Sequence, residues 1–241
     1  MTISQHRPCH RRSPLCNRCF LTIIICLSIM VTISVHLMNV WESTHPCITP
    51  KTHRQRLAFM VKAYSEIMSE LNITHWVDYG TLLGALRYEN IIIWDHDADV
   101  SYDRQYAYLL HDGGPAHKIA KKRYNMYLNA AVIIYEGLQT DIFSWKKVSD
   151  DKGGYKYIKG SNRDFDLIEE VFNDFNASFL EKTVNIPFAN GFVRAPNPPM
   201  EFVKQRYPTS YKRVIPFKFS CFFPWNIKYW LIYNRPIHMI R

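Results

Sequence analysis

The sequence predicts a mixed α/β domain, a small mixed sheet flanked by helices, preceded by one membrane-spanning helix. Three observations lead to this fold class. Residues 20–40 carry no formal charge, residues 53–71 have the spacing of an amphipathic helix, and residues 124–145 contain β-branched and aromatic runs. The chain has 241 residues. That length accommodates one anchor and one domain of ordinary size.

The apolar run from Phe20 to Val40 is 21 residues long. As a helix it spans roughly 31 Å, about the thickness of the hydrocarbon core of a bilayer. Trp41 and Glu42 follow directly, where a cleaved signal peptide has small residues. We therefore expect an anchor rather than a leader, and a buried core helix is the alternative. The predicted segments are a cytosolic basic tail (1–19), a transmembrane signal anchor (20–40), a short stem (41–52) and a lumenal catalytic domain (53–241).

The charge distribution predicts the orientation of the anchor. The formal net charge is +9, and four arginines before the anchor supply part of it without an acid to offset them: Arg7, Arg11, Arg12 and Arg18. This places the N-terminus in the cytosol, as in a type II membrane protein. The excess beyond the anchor suits an anionic substrate, and equally plain solubility. No block of basic and aromatic residues is arranged for nucleic acid, which we do not expect as a partner.

Cysteines and glycosylation sequons fit a secretory location. Cys47 and Cys221 lie in the predicted lumenal part and can form one disulfide, although two cysteines do not establish a pair. Cys16 and Cys19 form a lone CxxC without the second pair that zinc requires, so palmitoylation is the better interpretation. Sequons begin at Asn72 and Asn176.

Hydrophobic periodicity gives the order of elements after the stem. An apolar stripe predicts a helix over residues 53–71, and it consists of Leu57, Met60, Val61, Tyr64, Met68 and Leu71. Further predictions are a strand at 74–78, a turn at Gly80-Thr81, a helical turn at 82–87, an extended segment at 91–102, two or three strands in 124–145 broken near Asn129 and Gly137, and helices at 165–180 and 199–206.

Acids embedded in apolar sequence predict a metal site. Asp95, Asp97 and Asp99 follow an isoleucine-rich run and precede Val100. On a strand, Asp97 and Asp99 share one face with Cα atoms roughly 6.6 Å apart, and Asp95 joins them if the chain stays extended. Such carboxylates repel one another unless a cation lies among them. A solvent-exposed acidic turn is the alternative. An EF-hand is excluded, because Val100 and Tyr106 occupy the loop positions that need Gly and Glu.

Two further elements complete the candidate site. Gly80 and Thr81 lie at a strand-to-helix turn, where backbone can approach a phosphate and the hydroxyl can donate to it. Arg87 is a candidate phosphate ligand, or a surface arginine after the helix. Asp141 lies inside an apolar strand, where a carboxylate is costly unless it is paired or metal-bound. We expect it beside the strand of Asp97 and Asp99. The basic cluster of Lys118, Lys121, Lys122 and Arg123 is either a solvated face or a contact for acidic glycans or headgroups.

The segment 76–100, with YGTLLGALR followed by WDHDADV, resembles the LicD/fukutin family. The Asp-Ile-Phe strand at Asp141 and the Pro-rich turn and helix within 192–207 resemble later parts of the same family. The likeness covers roughly residues 55–215. His96 stands where the family often has a third consecutive acid, which leaves the number of metal ions open, and the cysteine-based zinc loop of some relatives has no counterpart.

The resemblance implies a nucleotidyltransferase-like fold and the transfer of a phospho-alcohol group from a CDP donor to a glycan on a glycoprotein or glycolipid. Candidate groups are ribitol phosphate, glycerol phosphate and phosphocholine. It implies that Gly80 and Thr81 face the donor phosphates, and that Asp97, Asp99 and Asp141, assisted by Asp95, hold Mg²⁺ or Mn²⁺. Asp97, Asp99 and Asp141 are thus also the candidate catalytic residues, and Golgi or ER membrane is the implied location.

Two other functions remain open from the residues alone. Asp97-Ala98-Asp99 also matches the DxD motif of a Golgi glycosyltransferase that uses a nucleotide sugar, although Gly80-Thr81 and Asp141 speak against it. A non-catalytic glycan- or nucleotide-binding relative is the other alternative. The sequence does not indicate the oligomeric state.

Overall fold

The computed structural model describes residues 14–44, 48–159, 174–208 and 211–212, and in the first helix it describes side chains from Phe20 to Val35. The chain divides into two compact units, Met1–Pro46 and Cys47–Arg241. Cys47 and Cys221 lie outside the described residues, as does the pairing predicted for them.

The described part of the first unit is the helix α1 (Pro14–Thr44). Its described side chains are exposed, including Phe20, Ile29 and Val35. Among the described residues, however, no helix combines the length and the apolar character needed to cross a bilayer. The transmembrane segment predicted over 20–40 is therefore not supported.

The second unit is a mixed α/β domain, as predicted. Its helices are α2 (Lys51–Glu70), α3 (Tyr79–Tyr88), α4 (Ala107–Leu110), α5 (Pro115–Ile119), α6 (Ser178–Glu181) and α7 (Pro199–Arg206), with a 3₁₀ turn at Arg104–Tyr106 and a π-helical turn at Ala120–Tyr124. Its strands are β1 (His75–Val77), β2 (Asp99–Asp103), β3 (Tyr127–Leu128), β4 (Val132–Tyr135), β5 (Leu138–Ser149), β6 (Tyr155–Lys159), β7 (Phe175–Asn176), β8 (Val184–Phe188) and β9 (Gly191–Ala195).

Seven strands form one mixed sheet in the order β1-β2-β5-β4-β3, with β6 and β7 joined to the far end of β5. Strands β2 and β5 are parallel, and the remaining pairs in this sheet are antiparallel. Strands β8 and β9 form a separate hairpin. The parallel pair matters for function, because it brings residues distant in sequence to the same end of the sheet.

Helix α2 covers one face of the sheet. The predicted stripe is confirmed: Leu57, Met60, Val61, Tyr64 and Met68 are at most 1% exposed, and Leu71, just beyond the helix, is partly buried. The Tyr64 hydroxyl donates to the Ser101 carbonyl of β2 at 3.1 Å. Burying such a stripe contributes about 1.5–3 kcal/mol for each large side chain.

The opposite face carries an aromatic cluster, defined here as Trp76, Trp145, Tyr157, Phe175 and Phe202. Successive residues of a strand point to opposite faces. In β1, His75 therefore bonds Ser65 of α2, whereas Trp76 enters the cluster. Phe202 brings α7 onto this face, with its ring centroid 4.9 Å from that of Phe175.

Several sequence predictions are corrected. The segment predicted to be extended over 91–102 is a loop until β2 begins at Asp99, so Asp97 does not lie on the strand. The helix predicted over 165–180 falls partly on residues 160–173, which the structure does not describe. Beyond them, Phe175–Asn176 is a strand and the helix begins only at Ser178. The two sequon asparagines, Asn72 and Asn176, are both exposed.

The basic cluster at the π-helical turn has all four cations exposed: Lys118, Lys121, Lys122 and Arg123. Arg123 forms an ion pair with Glu70 at 2.7 Å. The solvated-face interpretation fits this exposure.

Candidate functional site

Asp99 and Asp141 are neighbours across the parallel pair of strands. Asp99 begins β2, and it is in register with Asp141 of β5. Adjacent strands lie about 4.8 Å apart. By strand alternation both carboxylates point to the face of the aromatic cluster, because Ser101 and Trp145 of the same strands meet there through a 3.0 Å hydrogen bond. The prediction that Asp141 lies beside the Asp99 strand is confirmed, and the sheet register is its cause.

Asp95 and Asp97 lie in the loop that enters β2, called here the acid loop (residues 95–98). Asp95 is partly buried and Asp97 is exposed. A Cβ atom placed on Gly80 would lie 2.9 Å from one Asp95 carboxylate oxygen and 3.7 Å from one of Asp99. A side chain at position 80 would therefore require the Asp95 carboxylate to shift.

The segment Asp78–Thr81, called here the capping turn, joins β1 to α3. Asp78 is the N-cap of α3, and its carboxylate accepts from the Tyr79 N–H at 2.9 Å. Gly80 and Thr81 belong to the first turn of the helix rather than to a preceding loop, which corrects the predicted helix start at residue 82.

Thr81 holds the start of β2. It is 2% exposed, and its hydroxyl oxygen accepts from the backbone N–H of Asp99 at 2.8 Å. The backbone N–H of Gly80 donates to the Asp99 carboxylate, which lowers the pKa of that group against stronger opposing effects. Both residues thus bind Asp99 in this structure, and their predicted contact with donor phosphates stays a prediction.

The acids destabilise one another's charged forms. Burial, followed by the charge of Asp97, raises the pKa of Asp95 to about 7. Burial, followed by Asp97, Asp78 and Asp95, raises the pKa of Asp99 to about 8. Asp97 is the most exposed of the three. Its pKa is also raised, by partial desolvation and by the charge of Asp141. A cation placed among these groups would reverse the effect.

The donor set suits a hard divalent cation, since Mg²⁺ and Mn²⁺ prefer carboxylate oxygens. Within the described part of the chain, however, no three His, Cys, Asp or Glu side chains are arranged to hold a metal ion. The carboxylates are close enough to repel, but their oxygens do not converge on one point. The four predicted metal ligands, Asp95, Asp97, Asp99 and Asp141, would have to turn inward to bind one.

The acid loop is attached to the N-terminal end of α2. The Thr49 N–H donates to the Ile93 carbonyl at 2.8 Å, and its hydroxyl bonds the His96 ring at 2.9 Å. The His53 ring donates to the His96 carbonyl at 2.8 Å. The charge of His53 also counters the rise in the pKa of Asp97. Thr49 and His53 were not predicted from the sequence, because nothing local marks them as neighbours of residues 93–97.

Arg87 is buried rather than a surface residue, with 6% exposure. Its guanidinium donates to the Tyr211 carbonyl at 2.6 Å. Its charge opposes the rise in the pKa of Asp95. Because Arg87 is buried beside the acid loop, it is not a surface arginine. Its contact with a phosphate stays a prediction.

Arg206 was also missed. It lies at the last position of α7, and its guanidinium forms an ion pair with Asp78 at 3.1 Å, with side-chain exposures of 5% and 0%. Asp78 directly precedes the YGTLLGALR segment, but its partner lies 128 residues away in the sequence. Only the packing of α7 on α3 brings them together.

Comparison with known proteins agrees with this geometry. The family described as LicD/FKTN/FKRP, nucleotidyltransferase domain, matches residues 72–198, just over half of the chain. An uncharacterized protein of Rickettsia typhi, RT0683, is 27% identical over 176 residues. That alignment covers 70% of this chain and 52% of the relative, so the chain spans about half of the relative's length. The matched residues include the capping turn, the acid loop and Asp141, and the chain belongs to the LicD/FKTN/FKRP family.

Proposed function

We propose that this protein is a metal-dependent transferase that moves a phospho-alcohol group from a CDP donor to a glycan acceptor. Family membership is consistent with a transferase of the phosphotransferase type that modifies glycans. The observation that carries the finer proposal is the register of Asp99 with Asp141 across the parallel strands, with the Asp95 carboxylate beside Gly80 and close to Asp99.

The carboxylates are assigned as the cation-binding group. Asp99 and Asp141 would hold Mg²⁺ or Mn²⁺, together with Asp97 and with help from Asp95. A bound divalent cation would neutralise charge on the phosphate that is transferred. The raised pKa values of Asp95 and Asp99 support this assignment, because they mark a site whose charge the described side chains do not balance.

The reaction is an in-line displacement at phosphorus. An acceptor sugar hydroxyl forms the new O–P bond, the bond to the CMP oxygen breaks, and CMP leaves with the electron pair. Asp141 takes the hydroxyl proton. Its carboxylate accepts a 3.0 Å hydrogen bond from Gln139, which orients it on the strand beside Asp99. Gly80 gives the donor phosphates close access to backbone.

The proposal includes attachment to a Golgi or ER membrane with the catalytic unit in the lumen. Its support is the uncharged run of residues 20–40 in the sequence and the arginines that precede it. Alkaline extraction of membranes and protease protection test it. Release of the full chain by alkali, or cleavage of the catalytic unit in intact vesicles, would contradict this part of the proposal.

The experiment that tests the activity is thermal unfolding of the full chain with CDP or UDP, each with and without Mn²⁺. We expect stabilisation by CDP only with metal, and its loss in Asp99→Asn. Asp151→Asn, an exposed acid in the turn after β5, is the matched control. Stabilisation by UDP instead would favour a nucleotide-sugar glycosyltransferase, and no response to either would favour a non-catalytic relative. Release of CMP from CDP-ribitol, CDP-glycerol or CDP-choline then identifies the donor.

A further inference from the structure

Helix α7 lies beyond the residues that match the family domain, and it places one charged side chain inside the second unit. Arg206, with a 5% exposed side chain, is enclosed by four aromatic rings. Its guanidinium carbon lies 4.6–5.2 Å from the ring centroids of Trp145, Tyr79, Phe202 and Phe175. These distances are those of cation–π contacts, which hold a desolvated guanidinium in one orientation.

The partner of Arg206 is Asp78, which is fully buried. One Asp78 oxygen accepts from the Trp76 ring N–H, the Ser101 hydroxyl and Arg206, at 3.0, 2.9 and 3.1 Å. The other accepts from the Tyr79 N–H. Each oxygen of Asp78 therefore has a defined donor, and Arg206 supplies the compensating charge that a carboxylate needs at this depth.

The residue after Asp78 has a strained backbone. Tyr79 has φ +41°, in the left-handed region that a bulky aromatic residue rarely adopts. Such strain persists only where the surroundings impose it. The imposing contacts here are the hydrogen bond from the Tyr79 N–H to Asp78 and the packing of its ring on Arg206, 4.8 Å away, and on Phe143, 5.1 Å away.

The strained residue sets the direction of the two that follow. Gly80 and Thr81 are the residues that bond Asp99, through the Gly80 N–H and the Thr81 hydroxyl. The Asp78 N–H also donates to the Asp99 carbonyl at 3.2 Å. A continuous set of contacts thus runs from Arg206 through Asp78 and Tyr79 to Asp99.

We infer that Arg206 is a positioning residue for the reaction: by neutralising and orienting Asp78, it holds Tyr79 in its strained conformation and so fixes Gly80 and Thr81 against Asp99. The activity part of this inference rests on the proposed function. The positional part does not, and it is measured separately.

The test compares Arg206→Met and Arg206→Lys with Met68→Ala in the full chain. Met68 is buried in α2 on the opposite face of the sheet, so its truncation lowers stability and leaves the ion pair intact. Amide hydrogen exchange of residues 79–82 is measured for each variant at the same interval below its own Tm. We expect exchange at least about tenfold faster in Arg206→Met, wild-type exchange in Met68→Ala, and partial recovery in Arg206→Lys.

Turnover of the CDP donor is measured in parallel. We expect kcat to fall about a hundredfold in Arg206→Met, with KM for the donor little changed, because a small misplacement of Asp99 acts on the reacting centre. The double variant Asp78→Asn/Arg206→Met no longer buries an unpaired charge, so its Tm rises above that of Arg206→Met while its kcat stays low.

Two results would overturn the inference. One is exchange at residues 79–82 that follows global stability alone, equal in Arg206→Met and Met68→Ala. The other is full recovery of kcat in the double variant along with its Tm, which would make the ion pair purely structural. If the wild type transfers no group from any CDP donor, the proposed function fails, and the exchange measurement still decides whether Arg206 positions the capping turn.

Discussion

The capping turn and the acid loop lie side by side and solve the problem of a buried carboxylate in opposite ways. Asp78 in the capping turn has an ion pair and three further hydrogen-bond donors. Asp95 and Asp99 have each other and Asp97 as neighbours, and their pKa values rise to about 7 and about 8. The capping turn supplies donors and a positive charge for its carboxylate, whereas the surroundings of Asp95 and Asp99 disfavour the charged form of both.

Burial of an acid therefore does not by itself identify a functional site. Asp78 is the more deeply buried group, and its contacts are those of a structural element that supports Gly80 and Thr81. The acids of the site differ in that burial and neighbouring acids raise their pKa values, although Arg87 and His53 oppose the rise at Asp95 and Asp97.

The largest expected effect separates activity from stability. Asp99→Asn should lower turnover about a thousandfold, because it removes a charge from the proposed cation site. The same change should raise the Tm of the metal-free protein at pH 8, since asparagine resembles the protonated form that the fold favours. Donor turnover and thermal unfolding of one preparation check both signs. A lower Tm would mean that Asp99 is stabilised as a carboxylate by the protein itself.

The same substitution in the capping turn should have the opposite effect on stability. Asp78→Asn removes the charge partner of Arg206 and should destabilise the fold by about 3 kcal/mol, as expected for breaking a buried ion pair. Urea unfolding measures the change, with Asp151→Asn as the exposed control. If Asp78→Asn were as stable as the control Asp151→Asn, the ion pair of Asp78 would not set the capping turn apart from the acid loop.

The acids of the site should also make the stability of the fold depend on pH. The pKa values of Asp95 and Asp99 are raised in the folded state, so the folded protein binds more protons than the unfolded chain and loses stability as pH rises to about 8. Buried His75 acts in the opposite direction at lower pH, because burial lowers its pKa to about 4. The stability that burial of neutral His75 contributes is fully present above the usual histidine pKa of about 6.5.

We therefore expect the Tm of the metal-free protein to fall by several degrees between pH 6.5 and 8. Differential scanning calorimetry in matched buffers measures it. Asp95→Asn/Asp99→Asn should flatten the slope, and Mn²⁺ should reduce it in the wild type. A Tm that stays constant or rises over this interval would show that the acids are already balanced.

The smallest expected effect concerns the attachment of the acid loop. His53→Ala removes the donor to the His96 carbonyl and should cost about 1 kcal/mol, the typical value of one hydrogen bond. Amide exchange in residues 95–98 should rise locally. His111→Ala, an exposed histidine that bonds only its neighbour's carbonyl, is the control. Unchanged exchange in the acid loop would show that the His53 hydrogen bond does not hold it in place.

Much of the fold was predictable, for local reasons. The stripe of α2, the strand breaks at Asn129 and Gly137, and the helix at Pro199–Arg206 follow from periodicity and from turn residues. Asp141 was predictable as a partner of Asp99, because an acid inside an apolar strand needs a reason. The loop conformation of Asp97 could not be predicted, because an apolar run before an acid is equally typical of a strand and of a buried loop.

The contacts that hold the site in place were beyond the sequence. Thr49, His53 and Arg206 act on residues more than 40 positions away, and their own neighbourhoods in the chain are those of an ordinary helix start and helix end. Only the three-dimensional packing of α2 and α7 reveals them.

The position of α7 has a consequence for how this protein is divided. A fragment cut at the limits of the family match, residues 72–198, would contain every acid of the site. It would lack α2, which covers one face of the sheet, and the arginine that compensates Asp78. A truncation therefore has to keep residues on both sides of the family match, including Thr49 and Tyr211, which bond Ile93 and Arg87.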